Sequence, residues 1–360
     1  MIRRPPRSTP SNSSAASDVY KRQGNLGEIT IALFLMFPLL IMLMAIAFTS
    51  SFSYLILQIY SYALLPMMTA IVLSSIHTIQ PKFYDVYDIH KYLPYIVAAC
   101  IPIAIGLRFI ITLDHVWLAS VLLIMSVPIA FEFLKEYAEI TKIEKALPYF
   151  LRDITELRKI GYDIVQALKL LPRRRTYNKV FDRLLWYIAS QLELNVPFKY
   201  VVERTFMRSW LCKYVFFILS EIVDTGGGSP QVLENLTNFI SSVYSEKLRV
   251  KSTTRMYAVL GYSTPVLLTA MMVAVSEILQ HALKLMSVPI GGLPGAVTTS
   301  GLPTIAAVSD IIGLGLIATV LTAFAVGMVI AKIVNLSIAG FIHVVICLAL
   351  SIASSVLIHI

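Results

Sequence analysis

The sequence predicts an all-α fold: a polytopic helical membrane protein of about seven transmembrane helices, carrying one cytoplasmic antiparallel six-helix bundle. Three observations predict it. Hydrophobic residues make up 57% of the 360 and charged residues only 14%, whereas a soluble domain is about 25% charged. The apolar runs are long and unbroken. That favours helices, whose backbone groups bond within the segment, over a barrel of short alternating strands. The charge is also concentrated. Residues 132–255 hold twenty of the thirty Lys+Arg and fourteen of the twenty-one Asp+Glu, a local balance of +6.

A bilayer core of roughly 30 Å needs about 20 apolar residues in a helix. Ile29–Thr49 and Tyr54–Ile76 fit the first two spans, with a turn at Ser50–Ser53. His77–Leu93 is a polar break with Lys82, Asp85, Asp88, His90 and Lys91. Pro94–Thr112, interrupted by Arg108, and Val116–Phe133 fit the third and fourth spans. Beyond the polar segment lie Met256–Leu279, Thr304–Ala331 and Asn335–Ile358, with a Gly/Pro/Ser/Thr-rich stretch at Gln280–Pro303. Lys and Arg accumulate on the cytoplasmic side. Residues 134–253 are therefore expected in the cytoplasm, His77–Leu93 and Lys332 on the same side, and Gln280–Pro303 outside.

The polar segment reads as six short helices with short links. Leu147, Phe150, Leu151, Ile154 and Leu157 recur at helical spacing up to Gly161. A second helix, Tyr162–Leu171, is expected to stop at Pro172. A third, Tyr177–Leu192, carries Phe181, Leu184, Leu185, Ile188 and Leu192 on one side. Pro197 opens a fourth, to about Phe206, and Trp210–Val223 is a fifth. Gly226, Gly227 and Gly228 let the chain leave that helix in left-handed conformations. Ser229 then suits an N-cap and Pro230 a first helical residue. The last helix presents Val232, Leu236, Phe239 and Val243, and runs past Lys247, Arg249 and Lys251 into the next span.

The pattern carries little chemistry. Cys100, Cys212 and Cys347 are far apart, which supports neither a disulfide framework nor a zinc site. The glycine triplet is followed by Ser229-Pro230, not by the Lys a phosphate loop requires, and reads as a structural turn. No His accompanies the Glu221–Asp224 pair, so paired-carboxylate catalysis lacks support. No catalytic residue, cofactor or metal is expected, nor is nucleic-acid binding, since no aromatic residues interleave the basic clusters. Candidate docking residues are Arg173, Arg174, Arg175, Lys179 and Arg183, then Arg204, Arg208 and Lys213, and the acidic pair Glu221 and Asp224. Lys247, Arg249, Lys251 and Arg255 read as an anchor to anionic headgroups. Arg108, Glu277 and Asp310 fall near span ends, where charges can reach the interface.

Two strings carry a family resemblance: ALPYFLRDITELRKIGYDIVQAL at 146–168 and ILSEIVDTGGGSPQVLENLTNFI at 218–240. In their order of parts they resemble the F domain of type II secretion and type IV pilus platform proteins. Spans ahead of the domain resemble the archaeal FlaJ/TadC-like branch. The resemblance implies a non-enzymatic inner-membrane platform that docks a cytoplasmic assembly ATPase and couples its motion to pilin or archaellin subunits. It also implies a homo-oligomer, of the dimer kind. The alternative is a transporter or channel with a cytoplasmic regulatory domain, for which Gln280–Pro303 would be a re-entrant loop. Residues 1–23, MIRRPPRSTPSNSSAASDVYKRQ, are expected to be disordered. They resemble translated sequencing-adapter read-through. The native sequence is thus expected to enter near Gly24, with an N-terminal part, including a second F domain, lost. The organisation expected is 1–23 tail, 24–133 four spans, 134–253 bundle and 254–360 three spans.

Overall fold

The computed structural model describes residues 51–79, 85–88, 115–226, 228–286, 305–335 and 340–359, with Ser337 and scattered positions in 32–41. The described residues contain no strand. In chain order they form α1 (Ser51–Ile59), a π-helical turn (Tyr60–Leu64) and α2 (Leu65–Ile79), then α3 (His115–Lys159), α4 (Ile164–Arg174) and α5 (Lys179–Glu193). There follow α6 (Phe198–Arg204), α7 (Trp210–Asp224), α8 (Pro230–Met286), α9 (Ile305–Asn335) and α10 (Ile342–His359). The chain divides into two compact units. One comprises Met1–Pro81, Ile89–Phe131 and Ser252–Ile360; the other comprises Lys82–Asp88 and Glu132–Lys251.

Among the described residues four helical stretches are long and apolar enough to cross a membrane, two of them in α3 and α8, which also run through the second unit, and Ile342–Leu357 is a shorter apolar helix. The expected first and third spans, with Arg108 and Cys100, lie largely or wholly outside the described residues, as do the tail and most of Gln280–Pro303. Helix α9 is the centre of the first unit: 83% of its apolar window is buried, against 28% for Leu55–Thr78. Small residues let neighbours approach it. A Cβ on Gly327 would lie 2.6 Å from the Val344 Cα of α10, so only glycine permits that approach. The last span begins later than expected. Helix α9 runs through Asn335, and Gly340 closes a turn onto Ser337 before α10 starts at Ile342.

The second unit is the expected bundle of six helical segments, but its first and last members are not short. The opening segment is the end of the 45-residue α3, and the closing segment is the start of the 57-residue α8. Glu132–Lys145 contains no glycine or proline, so nothing ends the helix between apolar stretch and bundle. The core forms where the periodicity placed it. Leu147, Phe150, Leu151 and Ile154 of α3 and Phe181, Leu185, Ile188 and Leu192 of α5 are all buried. The Phe150 ring lies edge-on to Phe181 at 5.2 Å and tilted against Phe216 at 5.4 Å.

Two expectations are corrected. Helix α4 does not stop at Pro172 but runs to Arg174. The proline sits in the last turn, where its missing N–H costs a single bond, and the Arg175 N–H still reaches the Leu171 carbonyl at 2.9 Å. In α8 the buried face is Leu233, Leu236 and Ile240, while Val232 and Phe239 are 46% and 52% exposed. Two apolar stripes overlap in that helix, and packing selects the one a residue further along.

Candidate functional site

The glycine turn joins α7 to α8. Gly226 has φ +63° and Gly228 φ +140°, and Gly227 lies outside the described residues. Ser229 Oγ accepts from the Val232 N–H at 3.4 Å, and α8 opens on Pro230. Arg158 holds the turn from the end of α3: its Nε donates to the Gly228 carbonyl at 2.7 Å and its Nη1 to the Tyr162 carbonyl at 3.2 Å. A Cβ at Gly228 would lie 3.1 Å from Ile164 Cδ1 and 3.2 Å from Ile222 Cγ2, whereas at Gly226 it would meet open space. Gly228→Ala is therefore expected to destabilise the bundle by about 1–3 kcal/mol, and Gly226→Ala by about 1 kcal/mol. Thermal unfolding of the detergent-purified chain checks the order. Equal shifts would show that crowding at Gly228 is relieved.

The basic candidates fall into two kinds. Arg173 pairs with Glu193 at 2.6 Å across α4 and α5. Arg175 pairs at 2.9 Å with Asp153, a buried carboxylate that also accepts from the Tyr177 hydroxyl. Burial, then that bond to Asp153, push the Tyr177 pKa well up. Arg208 faces inward: Nη1 is 2.6 Å from Glu136, Nη2 3.3 Å from Asp88 and Nε 4.0 Å from Glu139. These three arginines serve the bundle's own structure. Arg174, Lys179, Arg183, Arg204 and Lys213 are exposed and have no ion-pair partner among the described residues.

Helix α5 presents Lys179, Arg183, Trp186, Tyr187 and Ser190 along one exposed face, at spacings of four, three, one and three. Trp186 and Tyr187 are each 48% exposed. The core takes the opposite side of the same helix. Sequence reading picked out the two cations and missed the aromatics. Their offset from the Phe181–Leu185–Ile188–Leu192 stripe was the available signal.

The acidic candidates are internally paired. Lys199 Nζ lies 2.9 Å from Glu221 and 3.8 Å from Asp224, bridging α6 to the end of α7. The Glu221 hydrogen bond and charge raise the Lys199 pKa. The expected headgroup anchor is also altered. Lys247 Nζ is held 2.7 Å from Glu144 and 3.2 Å from Asp85, and Lys251 lies 4.5 Å above the Tyr137 ring. Cys212 is fully buried, and burial pushes its thiol far above the ordinary range. Among the described residues no group of three or more His, Cys, Asp or Glu is placed to hold a metal ion.

Residues 150–276 match the family described as type II secretion system (T2SS), protein F. The matched segment takes in the bundle from Phe150 of α3 and continues along the apolar part of α8. Neither the curated proteins nor the solved structures yield a match.

Proposed function

We propose that this chain is the inner-membrane platform of an archaeal type IV pilus, archaellum or type II secretion-like machine. It docks a cytoplasmic assembly ATPase on the bundle and passes the ATPase's motion to pilin or archaellin subunits. The observation that carries this reading is the protein F match on a bundle whose first and last helices continue as long apolar helices. The Lys/Arg excess of the bundle supports a cytoplasmic location. The chain itself hydrolyses nothing in this reading, and it works as a dimer across about seven spans.

Docking falls to the α5 face. Arg174 at the end of α4 and Lys179 and Arg183 on α5 have no ion-pair partner among the described residues, and Trp186 and Tyr187 supply apolar area on α5. Tyr, Trp and Arg are the side chains enriched where binding energy concentrates. An ATPase face rich in Asp and Glu would complement it.

The test is Arg174→Glu, Lys179→Glu and Arg183→Glu together, in detergent-purified protein. Exposed pairs contribute about 0–1 kcal/mol each, so three reversals are expected to weaken ATPase binding about tenfold or more at low salt. The loss should shrink as salt screens the charges. Reversing Arg173 and Arg175 instead should move stability more than binding. Unaltered binding of the triple variant at low ionic strength would take the α5 face out of the interface and leave Glu221 and Asp224 as the next candidates.

A further inference from the structure

Residues 85–88 belong to no helix, so their polar groups need partners from elsewhere. They find them on three elements of the bundle. The Val86 N–H donates to the Arg208 carbonyl at 2.9 Å, and the Asp88 N–H to Glu136 Oε2 at 3.4 Å. Asp85 Oδ1 accepts from the Trp210 N–H at 3.0 Å, and Asp85 Oδ2 from Lys247 Nζ at 3.2 Å. Asp88 Oδ2 accepts from Arg208 Nη2 at 3.3 Å. The Tyr87 ring lies 5.1 Å from Phe133. Helix α3, the α6–α7 connection with the start of α7, and α8 are thereby gathered on one short stretch of chain.

The groups that grip this stretch are built into the bundle. Glu136 and Glu144 are 5% and 3% exposed, and Ser209 is fully buried. Ser209 Oγ donates to Glu144 Oε1 at 3.1 Å while accepting from the Cys212 N–H at the start of α7. Both bundle cations are committed before the tetrapeptide is counted: Arg208 to Glu136 and Lys247 to Glu144. Each has donors left over, and Asp88 and Asp85 take them. A merely solvated loop would not need two buried ion pairs prepared to receive it, since burying charge is costly unless every partner is in place.

We propose that residues 85–88 are a strap. It fastens the bundle to the chain leading from α2 on one side and to the apolar run 94–112 on the other. Movement of the bundle is thereby conveyed through this stretch as well as along the continuous helices α3 and α8. The coupling role rests on the platform reading; the fastening does not. Released from its two carboxylate grips, the strap leaves the bundle folded and able to bind its ATPase, but the stroke no longer reaches the segments it joins.

The variant is Asp85→Ala/Asp88→Ala, which removes both grips from the strap side and leaves the Arg208–Glu136 and Lys247–Glu144 pairs intact. Val86→Pro is the second variant; it removes one N–H donor and no charge. Hydrogen exchange on the full chain in detergent is expected to quicken at residues 85–88 by about tenfold or more in each, with the 147–154 and 211–219 core unchanged. Binding of the purified assembly ATPase should stay within about twofold of wild type, since the α5 face is untouched. Filament assembly or secretion, scored in a complemented deletion strain, should fall about tenfold or more. Unchanged exchange at 85–88 would overturn the strap. Quickened exchange with wild-type assembly would overturn its coupling role. An ATPase that fails to bind even the wild-type chain would overturn the platform reading and the coupling with it, while the exchange result would still decide the fastening.

Discussion

Lys247→Met is expected to destabilise the bundle by about 3–5 kcal/mol, because it leaves two buried carboxylates facing each other without a cation. The side chains of Asp85 and Glu144 are 12% and 4% exposed, and Lys247 Nζ lies within 3.2 Å of both. Burial opposes the Lys247 charge, but Glu144 and Asp85 outweigh it and hold the ammonium above its ordinary pKa. The Lys247 contribution is therefore full up to the ordinary lysine pKa and is lost as pH rises through the raised value, while burial raises the Glu144 carboxyl as well, so the ion pair is also lost on the acid side as Glu144 protonates. Proteolysis of the detergent-purified chain across a denaturant series reads the stability. The double variant Lys247→Met/Glu144→Gln should recover part of the loss, since it removes one unpaired charge. Equal losses in the two would mean that Lys247 acts through its packing and not its charge.

Phe150→Ala should cost a similar amount, about 3–5 kcal/mol, by a different route. Phe150 is fully buried where α3, α5 and α7 meet, with Phe181 and Phe216 against its ring. No single neighbour can close the space, since each is fixed by its own helix. Phe239→Ala is the control: its side chain is 52% exposed and its loss should stay within about 0.5 kcal/mol. Comparable losses at the two positions would show that the exposed α8 stripe is covered by a partner in the detergent-purified protein.

Much of the bundle is legible in the sequence because its helices are amphipathic and short. The Leu147–Ile154 and Phe181–Leu192 stripes, the Ser229-Pro230 start and the glycine turn all follow from local rules. The Val232–Phe239 stripe misleads because apolar residues at 232, 233, 236, 239, 240 and 243 satisfy two registers, and only the neighbouring helices choose between them. The strap is harder. Asp85 and Asp88 meet partners as far as 162 residues away in sequence, and no local rule reaches that distance. A faint signal existed nonetheless. Glu136, Glu144 and Lys247 fall on the buried stripes of their helices: Phe133, Glu136, Ile140, Glu144 and Leu147 on α3, and Leu236, Ile240, Val243 and Lys247 on α8. A charge in register with the core needs a buried partner. Counting such residues as lipid anchors or docking groups, as their basic neighbours invite, overlooks this. Arg208 sits between helices, outside any periodic run, and its inward turn brings it to Glu136, Asp88 and Glu139.

The platform reading is tested most directly in cells, by deleting the gene and following the filament or secretion subunits beside it. The account predicts that subunits are still made, processed and held in the membrane, yet no filament or secreted product forms. Complementation with wild-type chain should restore assembly, and the Arg174→Glu/Lys179→Glu/Arg183→Glu chain should not. Filaments and secretion at wild-type levels in the deletion strain would contradict it.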